Sequence, residues 1–126
     1  MSERQRVSSG SPFEASVGFC RAVRIGDRIV VAGTAPIWPD GHVELDPAAQ
    51  ARRCLEIIGS ALAELSSGFG DVVRTRTYLT DADDAAAVGA VHGEVFGEIR
   101  PVSTMVVVAA LLDPQWKVEI EAEAVV

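Results

Sequence analysis

Asparagine is absent from this 126-residue chain, lysine and tyrosine occur once each (Lys117, Tyr78), and cysteine and histidine twice each. Each scarcity removes a class of chemistry. Cys20 and Cys54 lie far apart and outside any CxxC pairing, so they form no disulfide framework and read as reduced thiols. His42 and His92 have no His, Cys or carboxylate partner at zinc-site spacing, and no metal is expected. A Schiff-base mechanism would have only Lys117, which reads as a surface charge. Phosphate loop, dinucleotide fingerprint and nucleophile elbow are all missing, and no cofactor is expected. The apolar run from Met105 to Leu112 is only strand length, far short of the roughly 20 residues of a membrane span. The charged start, Met1-Ser2-Glu3-Arg4-Gln5-Arg6, is not followed by the apolar stretch of a secretory signal, so a cytoplasmic location is the expectation. Eleven basic residues against 18 acidic ones give a net charge of −7, which works against nucleic acid as a partner.

What is present describes a single folded domain over residues 1–126, with 48% hydrophobic residues and few aromatics, so Ala, Val, Ile and Leu must fill the core. Residues 1–18, rich in Ser and Gly with Pro12, read as an extended arm. Runs at Phe19–Ile25 and Arg28–Thr34, joined by Gly26-Asp27, predict a β-hairpin, and Pro36 to Gly41 a loop. Asp46-Pro47 opens a helix as cap and first-turn proline, and Gly68 closes it. Between them Ala51, Cys54, Leu55, Ile58, Ala61, Leu62 and Leu65 form one apolar stripe. Asp71–Thr80 reads as a strand with Arg74 and Arg76 on one face. Asp81 or Asp83 caps a second helix running to Phe96. Gly89 and Gly93 inside it cost about 1 kcal/mol each relative to Ala, which predicts a close neighbour. Strands at Val102–Ala110 and Trp116–Val126 finish the chain.

The order β-β-α-β-α-β-β implies an α+β fold: one mixed sheet with both helices on the same face. The other face needs cover, and Met105 to Ala110, apolar on both sides, suits a strand buried partly by another subunit.

The last strand carries the sharpest pattern. Glu119, Glu121 and Glu123 alternate with Val118, Ile120, Ala122 and Ala124, so carboxylates share one face and apolar side chains the other. Glu121 and Glu123 read as a solvated outer face. Glu119, at the strand's start, is the candidate general base, placed where a cleft would raise its pKa. Ser103-Thr104 supplies hydroxyl and N–H donors at a strand start, or merely begins the strand. Cys20 is either a small strand filler or a thiol activated by Arg21.

Together, Gly18-Phe19-Cys20-Arg21-Ala22-Val23, Val31-Ala32-Gly33-Thr34, Asp71 through Asp81, Arg100-Pro101-Val102-Ser103-Thr104 and Val118-Glu119-Ile120-Glu121-Ala122 resemble the RidA/YjgF family of reactive intermediate deaminases, also labelled endoribonuclease L-PSP. The resemblance implies a chorismate-mutase-like subunit, a homotrimer with a barrel of sheets at its centre, and small-molecule clefts between neighbouring subunits. It implies hydrolysis of enamines and imines to a carbonyl compound and ammonia, and a cleft in which Glu119 handles the attacking water. Phe19, Cys20, Gly33 and Thr34 would line that cleft, together with Gly89, Ser103, Thr104 and Met105. Four positions depart from the family pattern: Ser103 replaces the arginine that pairs with a substrate carboxylate, Phe19 a tyrosine, Cys20 a serine, and Gly89 an asparagine. Serine cannot make a bidentate charged pair, so ordinary amino-acid-derived imines should bind poorly unless Arg21 or Arg100 compensates. The favoured reading is an imine deaminase acting on a non-standard substrate, with Glu119 as base and Thr104 and backbone N–H groups near Gly33 and Thr34 polarising the C=N group. The alternative is a trimeric small-molecule binding or regulatory protein without turnover. RNA cleavage is weakest, since the acidic chain has no basic track.

Overall fold

A computed structural model describes residues 3–126. It contains β1 (Arg4–Val7), β2 (Ala22–Ile25), β3 (Arg28–Thr34), α1 (Pro47–Glu64), β4 (Val72–Leu79), α2 (Ala85–Phe96), β5 (Val102–Val107) and β6 (Val118–Val125). The six strands form one sheet in the order β1-β2-β3-β6-β4-β5, in which only the β4–β5 pair is parallel. The last strand therefore lies in the middle of the sheet, hydrogen-bonded on both sides.

Its alternation explains the position. Val118, Ile120, Ala122 and Ala124 are buried and join the core formed by the stripe of α1 and by Val88, Val91 and Phe96 of α2. Every apolar residue predicted for the α1 stripe is buried. The polar side chain of Gln50 is fully buried beside them and hydrogen-bonded at both ends. Its Nε2 donates to the carbonyls of Glu44 and Gln115, and its Oε1 accepts from the Lys117 N–H at 2.7 Å. Gln50 thus fixes the chain two residues before Glu119.

The structure corrects several sequence-based expectations. The arm over residues 1–18 contributes β1, paired antiparallel with β2, and a helical turn at Glu14–Gly18. Four residues are too short to show a period, and their pairing comes from the sheet. The second strand starts at Ala22 rather than Phe19, and the fifth ends at Val107 rather than Ala110. α1 ends at Glu64, well before Gly68. Ser66 takes the left-handed turn (φ 61°), and the N–H groups of Ser66 and Ser67 return to the carbonyls of Ala63 and Leu62.

β5 is an edge strand with one neighbour in the chain, leaving Val102 60% and Val107 54% exposed. Nor do Gly89 and Gly93 mark a close approach, since a Cβ at either would meet nothing within 4 Å. That approach is at Gly59, where a Cβ would stand 2.8 Å from the Phe69 ring. Gly59→Ala is therefore expected to destabilise the fold by about 1–3 kcal/mol. Gly93→Ala should stabilise it by up to about 1 kcal/mol, and urea unfolding of the two variants should show the opposite signs.

Candidate functional site

Two of the three β6 glutamates have partners. Glu123 lies 3.5 Å from the Arg28 guanidinium and 3.3 Å from that of Arg74, while Glu121 accepts from Tyr78 Oη at 2.6 Å and faces Arg76 at 3.4 Å. These pairs neutralise the open face of the sheet. Glu119 has no hydrogen-bond or ion-pair partner among the described residues. Burial pushes its carboxyl above the ordinary range, Arg21 pulls it back, and Glu121 adds to the rise. The one unpartnered carboxylate of the row is thus the one whose affinity for a proton is raised.

A bulge in β3 shapes its surroundings. Val31 faces Ala122 and Thr34 faces Ile120, so three steps of β3 match two of β6, and the bulged Ala32-Gly33 segment lies opposite Glu121 with Gly33 against the side chain of Glu119. A Cβ on Gly33 would rest in van der Waals contact with the Glu119 carboxyl, 3.4 Å from its carbon, so the glycine and the carboxylate lie against each other. Arg21 also reaches Gly33. Its Nη1 donates to the Gly33 carbonyl at 2.8 Å and to Thr34 Oγ1 at 3.1 Å, and its guanidinium lies 5.8 Å from the Phe19 ring centroid. Its Nε is buried without a partner, and no carboxylate comes within ion-pairing distance of it among the described residues. Burial lowers its pKa, with Glu14 and Glu119 opposing from a distance. A half-buried guanidinium without a counter-ion and a half-buried carboxylate without a partner therefore flank one glycine. Cys20 points elsewhere, its Sγ 3.5 Å from the Ala22 carbonyl oxygen.

The remaining candidates form a second group. Ser103 pairs in register with Thr75, and their hydroxyls are 2.9 Å apart; Thr75 Oγ1 in turn lies 2.8 Å from His92 Nε2 on α2. Gly89 lies one turn before His92 on the same helix, and Met105 packs against the core on this side. Thr104 points the other way, opposite Arg76.

The two groups stand on opposite faces of the sheet. Glu119 pairs with Tyr78 and Tyr78 with Val106, whereas Ser103 pairs with Thr75, three residues from Tyr78 along β4. Paired residues share a face and an odd separation reverses it. A single chain therefore cannot bring Ser103 and Glu119 to one small ligand across its sheet.

Of the two arginines considered as compensation, Arg100 turns away. It adopts a left-handed conformation (φ 54°) and its Nε donates to the Gly97 carbonyl at 3.2 Å. A recess on the open face is lined by Arg74, Arg76, Glu121 and Glu123, but those charges are already paired and leave none for a ligand. Among the described residues no three His, Cys, Asp or Glu side chains gather as a metal site would require, and no helix is long and apolar enough to cross a membrane. The sequence did not reveal that His92 and Thr75 join Ser103 in one hydrogen-bonded row. Only their strand and helix phases, three-dimensionally combined, bring them to Ser103.

A sequence profile of the family described as Endoribonuclease L-PSP matches residues 10–126. The Streptomyces coelicolor protein SCO2049 is 43% identical over 121 residues, covering 95% of this chain and 90% of its own. The 2-iminobutanoate/2-iminopropanoate deaminase of Escherichia coli K12 is 34% identical over 116 residues, covering 88% and 90%. Among solved structures, that of Rv2704 from Mycobacterium tuberculosis, a member of the YjgF/YER057c/UK114 family, superimposes with a TM-score of 0.91 at 50% identity, covering 98% of this chain and all of the other.

Proposed function

This chain belongs to the endoribonuclease L-PSP family, which includes the YjgF proteins, and on that premise we propose that it hydrolyses a carboxylate-bearing imine or enamine to a carbonyl compound and ammonia. The observation that carries this reading is the pair of charges beside Gly33: the raised carboxyl of Glu119, unpartnered among the described residues, and the guanidinium of Arg21, which has no carboxylate within ion-pairing distance among them. An unpaired half-buried charge costs stability, and an anionic substrate group supplies the missing partner. The E. coli relative acts on 2-imino acids, whose carboxylate adjoins the C=N carbon. Ser103 cannot hold such a group, but Arg21 approaches from the other side of the cleft, so the substrate lies in a different orientation from that set by an arginine at position 103.

Glu119 takes a proton from water as the oxygen bonds to the C=N carbon. The nitrogen takes a proton from solvent to complete the amino alcohol; its collapse returns the Glu119 proton to nitrogen, releases the hydroxyl proton to solvent, breaks the C–N bond and frees ammonia. The site lies between neighbouring copies in a homotrimer working in the cytoplasm. Support for the trimer comes from the bare apolar edge of β5 and from the opposite-facing positions of Ser103 and Glu119.

The test generates imines in situ, with an amino-acid oxidase for those bearing a carboxylate and an amine oxidase for those lacking one. Purified protein is expected to accelerate hydrolysis of the first set well above the spontaneous rate and to affect the second set far less. A protein that binds imino-acid analogues but accelerates neither set is the binding module of the alternative reading.

A further inference from the structure

We infer that Ser103, Thr75 and His92 form a proton relay that carries protons from solvent to the nitrogen of the bound C=N group. The inference rests on the imine-hydrolase reading above and gives the chain's divergent serine a chemical role.

The connections are short and continuous. Ser103 is exposed at the edge of the sheet, Thr75 is 0% exposed, and His92 is half-buried. The hydroxyl–hydroxyl and hydroxyl–imidazole distances of 2.9 and 2.8 Å are both those of made hydrogen bonds. Among the described residues His92 Nδ1 has no protein partner, yet it is not one of the buried atoms left unpaired, so it meets solvent. The chain thus has a wet end on α2, a dry middle in the core and an open end on β5. Phe96 covers the ring at 4.6 Å and holds it in this orientation.

Imidazole must be neutral to act as both donor and acceptor, and burial favours the neutral form, with no charged neighbour contributing to the shift. In one state Nε2–H donates to Thr75, Thr75 donates to Ser103, and the Ser103 proton is free for the substrate nitrogen. When water adds to the C=N carbon, the π electron pair moves to nitrogen, which takes the Ser103 proton. Ser103 is refilled from Thr75 and Thr75 from Nε2, while Nδ1 gains a proton from solvent. One proton enters at His92 and one leaves at Ser103, and no residue changes charge. Thr75 and His92 act through Ser103 and are positioning residues; Ser103 alone meets the substrate. Since it lies on the opposite face from Glu119, acid and base come from neighbouring copies.

Packing and relay make opposite demands on Thr75. Thr75→Val keeps its volume and removes the hydroxyl, and should lower kcat about 100-fold with KM within about twofold. Thr75→Ser gives up a methyl group but keeps the hydroxyl, and should retain kcat within about threefold. If both variants lose activity in proportion to their stability, the relay is wrong.

A second readout does not depend on turnover. At pH 8, ring 15N shifts report the tautomer of His92 in the intact protein. Ser103→Ala deprives the Thr75 proton of its acceptor and turns it toward Nε2, so His92 should shift toward the Nδ1–H tautomer. The same substitution in a Thr75→Val background should have no effect. A tautomer unchanged by Ser103→Ala overturns the relay whether or not the protein hydrolyses imines. A wild type that hydrolyses none, yet shows the tautomer shift, overturns the functional reading and with it the delivery of protons to a C=N group, while the hydrogen-bonded chain from Ser103 to His92 stands.

Discussion

Glu119→Gln is expected to lower kcat on imine substrates by about 10²–10⁴-fold, the usual contribution of a positioned general base, with little change in KM. The amide keeps the shape that fits over Gly33 and loses only the ability to take a proton. In the wild type the acidic limb of the kcat profile should fall above the ordinary value of 4.5, because burial holds the carboxyl protonated to higher pH. The stability effect has the opposite sign. A carboxyl raised on folding contributes stability that is present below 4.5 and lost as pH rises through the folded value. At pH 7 to 8 the glutamine variant is free of that cost and should melt higher than the wild type, with the difference shrinking toward pH 4.5. Thermal melts across this range, read beside the rates, separate a base from a residue that merely supports the fold, since removing a supporting residue would lower both.

Arg21→Gln should fall hardest on substrates that carry a carboxylate. Losing a charged hydrogen-bond partner in a cleft costs about 2–5 kcal/mol, so kcat/KM for imino acids should drop by about 30-fold or more. For imines without a carboxylate it should stay within about threefold. Arg21→Lys is not expected to restore the activity. The planar fork that reaches the Gly33 carbonyl and Thr34 Oγ1 while leaving another edge for a ligand has no counterpart in a single ammonium. Equal losses on both substrate sets would mean that Arg21 supports the bulge and does not choose the substrate.

Much of the fold could be read from period and caps. Asp46 accepts from the Ala49 N–H as the expected cap, the α1 stripe is buried residue for residue, and the alternation of β6 divides core from charge. All these signals are local, carried by neighbours within one turn or one strand. The positions that resisted are those settled by distant parts of the chain. β1 gains its structure from pairing with β2, and the close approach at Gly59 comes from Phe69 across the helix. In the candidate site, Glu119 could be singled out because a carboxylate at the start of an alternating strand stands out on its own. Arg21 could be named but not aimed, since its direction depends on the β3 bulge. The Ser103, Thr75 and His92 cluster was invisible because its members come from three elements and meet only when the sheet closes against α2.

Ser103 and Glu119 stand back to back on one sheet, and this has a genetic consequence. If a working cleft joins the front of one copy to the back of the next, damage to either residue spoils half of each cleft and spares the other half. Two alleles, one broken at each position and silent by itself, would assemble together and restore a share of sound clefts, roughly one in four when mixed equally. Heredity of the activity would then follow the company a chain keeps as much as its own sequence.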